Sequence, residues 1–326
     1  MIDILKSDST INVKLPIMGQ ERYIKAKSDN YGWFQSESCI LPFILDKRFI
    51  FTRMVFMSEI VARKEKLSLE DEKNFLNEVV DYIGKQKLCD FIYKAQSNVI
   101  FNVCPKSAVC VPWGTHIVDI DKSEEDLLMS FKSKSRQKIR KAIKTGVTIE
   151  KTEDINLIYE HIKETLERQK SIHYPSLEYL KSLQKNLGEN SKFFVAIQDG
   201  KIQGCVNIVY DGEKGFAIYA GSHPKPTYGA LNLMYYEIMK YLQQRGVKTF
   251  DFVGTKINIK PDSKFSGISQ FKNSFKPVIH EGYAFKVVVN PFKYFLFNIM
   301  SKIYLGIKGY QYSDPIDNIK REHENE

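Results

Sequence analysis

The chain has 326 residues, 43% of them hydrophobic and 27% charged, a globular mixture that excludes disordered and collagen-like classes and is long enough for two domains. Its 48 Lys+Arg against 39 Asp+Glu give a formal net charge of +9, which favours polyanionic partners such as nucleic acid, nucleotide phosphates or anionic lipid heads without choosing among them. The five cysteines are scattered, odd in number and without CxxC or Cys/His spacing, so reduced thiols are expected rather than a disulfide frame or a metal site.

The amino terminus, MIDILKSDST, has no basic and apolar leader pattern, and no charge-free run reaches the roughly twenty residues of a membrane span. A cytoplasmic protein is expected. A strand is predicted over Ile50–Met57. Ser68-Leu-Glu-Asp71 then opens a helix in capping-box fashion, with Phe75, Val79 and Ile83 on one face. Strand-like runs follow at Phe91–Tyr93 and Ala108–Trp113. Ser123 caps the next helix, Glu124, Glu125 and Asp126 fill its first turn, and Gly146 ends it. Leu127, Phe131, Ile139 and Ile143 form its apolar stripe.

The second half begins with a strand at Val147–Glu150. Helices are predicted over Asp154–Lys170 and Leu177–Asn186, the latter capped by Ser176 and closed by Gly188. A hairpin turns at Asp199-Gly200 between Lys192–Gln198 and Ile202–Tyr210, and Gly215–Gly221 extends it. A helix over Leu231–Arg245 stops at Gly246, and a strand runs from Thr249 to Val253. Two α/β domains are expected, 1–146 ending in the basic helix and 147–326, without internal repeats or low-complexity segments.

The segment SFKSKSRQKIRKAIKTG, residues 130–146, holds Lys132, Lys134, Arg136, Lys138, Arg140, Lys141 and Lys144 and no acid. Solvated helix faces usually interleave both signs to gain i,i+4 pairs, whereas here like charges repel. Phosphate contact along a tRNA backbone or a pyrophosphate-linked precursor explains that cost better than a bare solvated face.

The string FFVAIQDGKIQGCVNIVYDGEKGFAIYAGS, followed by a helix and GVKTFDFVG, resembles the second half of the GNAT acyltransferase fold. With LLMSFKSKSRQKIRKAIKTGVTIE and GISQFKNSF it resembles the FemABX-like branch, over most of Asp119–Phe275. The resemblance implies two tandem GNAT-like domains, mixed sheets flanked by helices, and transfer of an aminoacyl group from aminoacyl-tRNA to an amine of a peptidoglycan or other cell-envelope precursor. Longer members carry a coiled-coil arm; here that connection is the short turn from Asp211 to Gly215, so an armless fold is expected.

Thr165-Leu-Glu-Arg168, with His173-Tyr174 and Tyr179, resembles the family element that helps form the acceptor pocket, which makes Arg168 and Tyr179 substrate-binding candidates; an ordinary surface arginine fits Arg168 equally well. Gly267-Ile-Ser-Gln-Phe271-Lys272 resembles the element whose lysine lies near the acyl-transfer site. Lys272 would then stabilise the carbonyl oxyanion or the leaving 3′-oxygen, while Phe271 would border the substrate, though its pattern suits a core position. Asp251, at the end of a strand, is the candidate acceptor of the amine's proton, or a carboxylate that structures the following loop.

In an acyl-CoA enzyme the pyrophosphate would sit on a glycine-rich turn before the Leu231 helix. Here that turn reads His223-Pro-Lys-Pro-Thr-Tyr-Gly-Ala230, with altered spacing and two prolines that remove donors. The degenerate turn lowers the case for acyl-CoA as donor; an acyl-CoA-dependent enzyme acting on an amino sugar of surface polysaccharide remains the alternative, and a non-catalytic RNA-binding module a third. No metal site, triad or cofactor motif is found, and none is needed to aminolyse an activated ester. The aromatic segment from Asn290 to Leu305 suits either peripheral contact at the inner face of the membrane or, the option taken, docking on the second domain.

Overall fold

A computed structural model describes residues 2–64, 66–171, 174–257 and 266–324. Two compact units are present: Met1–Gly114 with Gly254–Ile257 and Glu281–Glu326, and Thr115–Val253 with Asn258–His280.

The first unit opens with β1 (Asp3–Leu5), the short α1 (Glu21–Ile24), β2 (Tyr31–Gln35), β3 (Cys39–Arg48), β4 (Phe51–Phe56) and β5 (Val61–Ala62). α2 (Leu69–Gln86) follows, then β6 (Phe91–Ile92) and β7 (Val109–Asp119), a strand that ends in the second unit. The capping box at α2 is formed: Ser68 Oγ accepts from Asp71 N at 3.1 Å and the Asp71 side chain accepts from Ser68 N. Phe75, Leu76, Val79 and Ile83 of α2 pack into one core with Phe34, Phe43, Met54 and Phe56 of the strands. Each large side chain buried there contributes about 1.5–3 kcal/mol relative to exposure.

In the second unit the expected single basic helix is two: α3 (Glu124–Ser130) and α4 (Ser133–Lys144). Between them Phe131 is extended, with φ −71° and ψ 160°, and fully buried against Tyr236 and Phe275 at ring separations of 6.0 and 5.1 Å. The Arg136 guanidinium donates to Phe131 O at 2.6 Å and Met129 O at 3.2 Å, satisfying carbonyls that the break strands. Ile143, expected in the apolar stripe, is 56% exposed.

The unit continues with β8 (Thr148–Thr152), α5 (Ile155–Arg168), α6 (Leu177–Leu187), β9 (Ser191–Gln198), β10 (Lys201–Tyr210), β11 (Lys214–Ser222), α7 (Ala230–Gln243), β12 (Thr249–Asp251) and α8 (Ser266–Asn273). Its sheet runs β7-β12-β11-β10-β9-β8, antiparallel except for the β11–β12 pair. Successive β10 residues face opposite layers: a Cβ on Gly204 would meet Leu231 of α7, whereas Cys205 Sγ lies 4.0 Å from Ile158 O of α5. Helices α5 and α6 therefore cover one face, and α7, with α4 packed on it, covers the other.

β13 (Val278–Val288) returns the chain to the first unit, where Val287 pairs with Ile92 of β6, and α9 (Pro291–Ile307) and α10 (Pro315–Glu324) follow. The first sheet is ordered β1-β2-β3-β4-β6-β13, with β5 beside β3. The units thus part after Gly114 rather than at Gly146, because α4 packs into the second unit and the last two helices into the first. Phe297 of α9 packs on Phe51 and Phe91 at 5.5 and 4.9 Å, so the expected docking on the second domain is replaced by docking on the first unit. Cys104 and Cys110 form a disulfide, correcting the expectation of five reduced thiols. The turn through Ser107, at φ +62°, reverses the chain and brings their Cα atoms to 6.4 Å. Cys39, Cys89 and Cys205 are free and buried.

Candidate functional site

β11 and β12 are paired only at Lys214–Thr249, Gly215–Phe250 and Phe216–Asp251, after which β11 runs on to Ser222 paired with β10 but not with β12. Two parallel strands therefore separate at their carboxyl ends, the place where open α/β sheets hold ligands. α7 begins on the β11 side of that opening, and Asp251, Val253 and Lys272 lie on the β12 side.

At the start of α7, Gly229 has φ +86°, and a Cβ there would stand 2.1 Å from the Lys138 carbonyl oxygen of α4. Only glycine permits both the left-handed conformation and this approach. Asn232, 4% exposed, donates to Ser135 Oγ at 3.1 Å and Ser274 Oγ at 3.3 Å, joining α7 to α4 and to the segment after α8. Ser135, Ile139 and Ala142 are the buried face of α4, spaced i, i+4, i+7.

The outward side of α4, with its N-cap Lys132, is largely cationic. Lys132, Lys134, Arg140, Lys141 and Lys144 are exposed, and among the described residues none of them has an ion-pair partner. Lys138 is half-buried with its Nζ 5.6 Å from the centre of the Tyr228 ring, and Arg136 is occupied by carbonyls. Five of the seven expected phosphate-contacting cations therefore face outward, and two are built into the helix packing.

On the β12 side, half-buried Lys272 donates from Nζ to Val253 O at 2.5 Å, and burial pushes its pKa down to about 8. Val253 N donates to Asp251 Oδ1 at 2.8 Å; the same carboxylate accepts from Thr115 Oγ1 and faces Lys214 Nζ at 3.1 Å. Asp251 is fully buried. A sealed, partnered carboxylate is poorly placed to take a proton from a substrate; the geometry instead makes it the anchor of the Val253 turn that holds Lys272. Phe271 packs on Tyr235 and Phe275 at 5.4 and 5.3 Å, as a core residue does.

His116, on β7, is 1% exposed; it lies beside Asn273, and among the described residues neither ring nitrogen has a hydrogen-bond partner of good geometry. Burial, then the nearby Lys272 cation, lowers its pKa to about 4, so the ring is neutral near pH 7. Sequence reasoning missed it because a lone histidine in an apolar strand looks like a core residue. Its place in the strand beside β12 emerges only in the folded chain.

Thr165 and Arg168 grip the end of β11: Ser222 N donates to Thr165 Oγ1 at 2.8 Å, and Arg168 Nη2 donates to Ser222 O at 2.8 Å. Tyr179, on α6, meets the Tyr219 ring edge-on at 6.2 Å. These two substrate candidates lie on the α5–α6 face of the sheet, opposite the face that carries α4 and α7. His173 lies outside the described residues. Among the described residues no cluster of three or more His, Cys, Asp or Glu could hold a metal ion, and no helix is long and apolar enough to cross a membrane.

The model of the FemAB family matches residues 106–203 and 198–302, together more than half of the chain. The chain belongs to the FemAB family. Lipid II:glycine glycyltransferase of Staphylococcus haemolyticus is 24% identical over 239 residues, covering 52% of this FemAB-family chain and 57% of the relative. The protein of the same name from Staphylococcus epidermidis strain RP62A is 24% identical over 235 residues, 52% of this chain and 56% of the relative. The chain thus matches little more than half the length of these curated relatives. Among solved structures, FemX superposes with a TM-score of 0.64 at 17% identity, covering 86% of this chain and 94% of that one. The C-terminal domain of a putative lysylphosphatidylglycerol synthetase from Agrobacterium fabrum superposes at 0.51 with 14% identity, covering 79% and 84%. The first superposition establishes that the chain shares the fold of FemX.

Proposed function

We propose that this FemAB-family chain is an aminoacyltransferase that moves an aminoacyl group from an aminoacyl-tRNA to an amine of a peptidoglycan precursor, working peripherally at the inner face of the membrane. The observation that carries the donor is the cation face of α4, without ion-pair partners among the described residues and seated directly on the start of α7. A carbonyl oxygen, that of Lys138, approaches that start, so the helix end that would cradle a CoA pyrophosphate meets partial negative charge instead. The names of the staphylococcal relatives support the acceptor class.

In the reaction the acceptor nitrogen attacks the ester carbonyl, the C–N bond forms, the C–O bond to the ribose breaks, and the proton lost by the amine ends on the ribose oxygen. The ester is already activated, so positioning and charge stabilisation suffice. Lys272, protonated below about pH 8, donates to the developing oxyanion or the leaving oxygen. Asp251 positions it through the Val253 turn, and neutral His116 adds no competing charge beside it. Arg168 and Tyr179 serve the acceptor side from the other face of the sheet. Single-turnover transfer to a peptidoglycan-precursor amine tests the proposal: charged tRNA should support it and acyl-CoA should not. The reverse result refutes it.

A further inference from the structure

α9 has seventeen residues, none of them buried. One face is held in the first unit: Phe297 packs on Phe51 and Phe91, Tyr294 OH donates to Asp314 Oδ2 at 3.0 Å, and Tyr312 OH donates to Asn298 Oδ1 at 3.0 Å. The other face is open and apolar. Phe292 is 69% exposed, Phe295 60%, Ile303 59% and Ile307 82%, and with Ile299 they recur every three or four residues as one stripe. Such a contiguous apolar patch is unusual on a monomeric surface and marks an interaction site.

The charge around the stripe identifies what covers it. From Tyr283 to Ser313 there is no acidic residue; exposed Lys302 lies on one edge of the stripe and exposed Lys308 one residue beyond the helix, while Lys293 on the other edge is turned inward to Asp90 at 3.1 Å. Exposed cations beside an apolar face, with no acid along the segment, suit a surface with an apolar interior and an anionic rim. Long lysine stems let the ammonium groups rise to that rim while the aromatic and aliphatic groups sink below it. The β3–β4 turn adds to the surface. Phe49 is 95% exposed and Ile50 60%, Lys47 and Arg48 precede them, and the next residue, Phe51, touches Phe297 of α9. Seventeen residues are too few for a span but suffice for a helix lying in the headgroup plane.

We infer that the first unit docks on an anionic lipid bilayer through the open face of α9, assisted by the Phe49–Ile50 turn. The inference rests on exposure and charge, not on the acyl-transfer reading, although a lipid-linked acceptor would give the docking a purpose.

The full-length chain is sedimented with vesicles of phosphatidylcholine alone and of phosphatidylcholine with phosphatidylglycerol. Binding to the anionic vesicles is expected, falling with salt, and weak binding to the neutral ones. The variant F292S/F295S/I303S should lose at least tenfold in binding, with an unchanged melting temperature. Lys302→Glu, which disturbs no apolar contact, should lose about fivefold or more, and it carries the test if the triple variant melts early. No recruitment by anionic vesicles overturns the inference. So does a concentration-dependent dimer in sedimentation velocity that the same substitutions abolish, since the stripe would then be a contact between copies. Transfer to a soluble, lipid-free acceptor should be unaltered in these variants, so failure of docking and failure of the acyl-transfer proposal are seen separately.

Discussion

Replacing Gly229 by alanine tests the seating of the basic helix on α7. An L-residue at φ +86° pays roughly 1–2 kcal/mol for the left-handed conformation. Its Cβ would also come within 2.1 Å of the Lys138 carbonyl oxygen, a backbone atom that yields only if α4 moves away from α7. That movement breaks the buried bond from Asn232 to Ser135, and leaving such groups unsatisfied costs about 1–3 kcal/mol. The total is roughly 2–5 kcal/mol. Gly246→Ala is the control, because Gly246 has a comparable φ of +74° with nothing within 4 Å of a built Cβ; it should cost only the conformational part, roughly 1–2 kcal/mol. Urea unfolding should be followed by circular dichroism, since both tryptophans, Trp33 and Trp113, lie in the first unit. Equal losses for the two variants would refute the close α4–α7 contact and the donor argument built on it.

Lys272→Met should lower the single-turnover rate more than acceptor affinity, and the ratio of wild-type to variant rate should shrink as pH rises through about 8, where the amine loses its proton; a ratio constant from pH 7 to 9 removes the cationic role. Substituting Lys134, Arg140 and Lys141 by glutamine should reduce the log–log salt slope of tRNA binding by about 0.7–0.9 per lost phosphate contact, measurable by titration at several salt concentrations. Arg136→Gln should instead cost about 1–2 kcal/mol of stability in urea, because its guanidinium serves the Phe131 and Met129 carbonyls. Glu21 accepts from Lys25 at 2.7 Å and Tyr31 OH at 2.7 Å, and its pKa is lowered from 4.5 to about 2. Its contribution is therefore full above pH 4.5 and lost as pH falls through 2, so Glu21→Gln should cost about 1–2 kcal/mol near neutrality, after allowance for solvent screening, and almost nothing at pH 2; acid-dependent melting checks the sign.

Local features were legible where one side chain decides them. Ser68, Ser123 and Ser176 cap helices as their sequences imply, and Asp199-Gly200 turns the expected hairpin. What escaped depends on distant partners. The break at Phe131 reflects burial against Tyr236 and Phe275, more than a hundred residues away in sequence. The Cys104–Cys110 link depends on a turn that spacing alone does not reveal. In the site, the basic character of α4 was plain, yet the separation into five outward cations and two packed ones needed α3 and Tyr228. Asp251 was identified as important, but Thr115, which helps to seal it, lies over a hundred residues upstream. His116 gave no pattern to notice.

The return of β13 to pair with β6 has a consequence for biosynthesis. The second unit is almost one continuous stretch, Thr115–Val253 with Asn258–His280, while the first needs Glu281–Glu326 as well as its amino-terminal part. As the chain leaves the ribosome, the second unit has all its strands before the first does, reversing the usual amino-terminal-first order. Until Val287 and Val288 emerge, Phe91 and Ile92 lack their antiparallel neighbour, and that sheet edge stays exposed to aggregation throughout synthesis of the second unit.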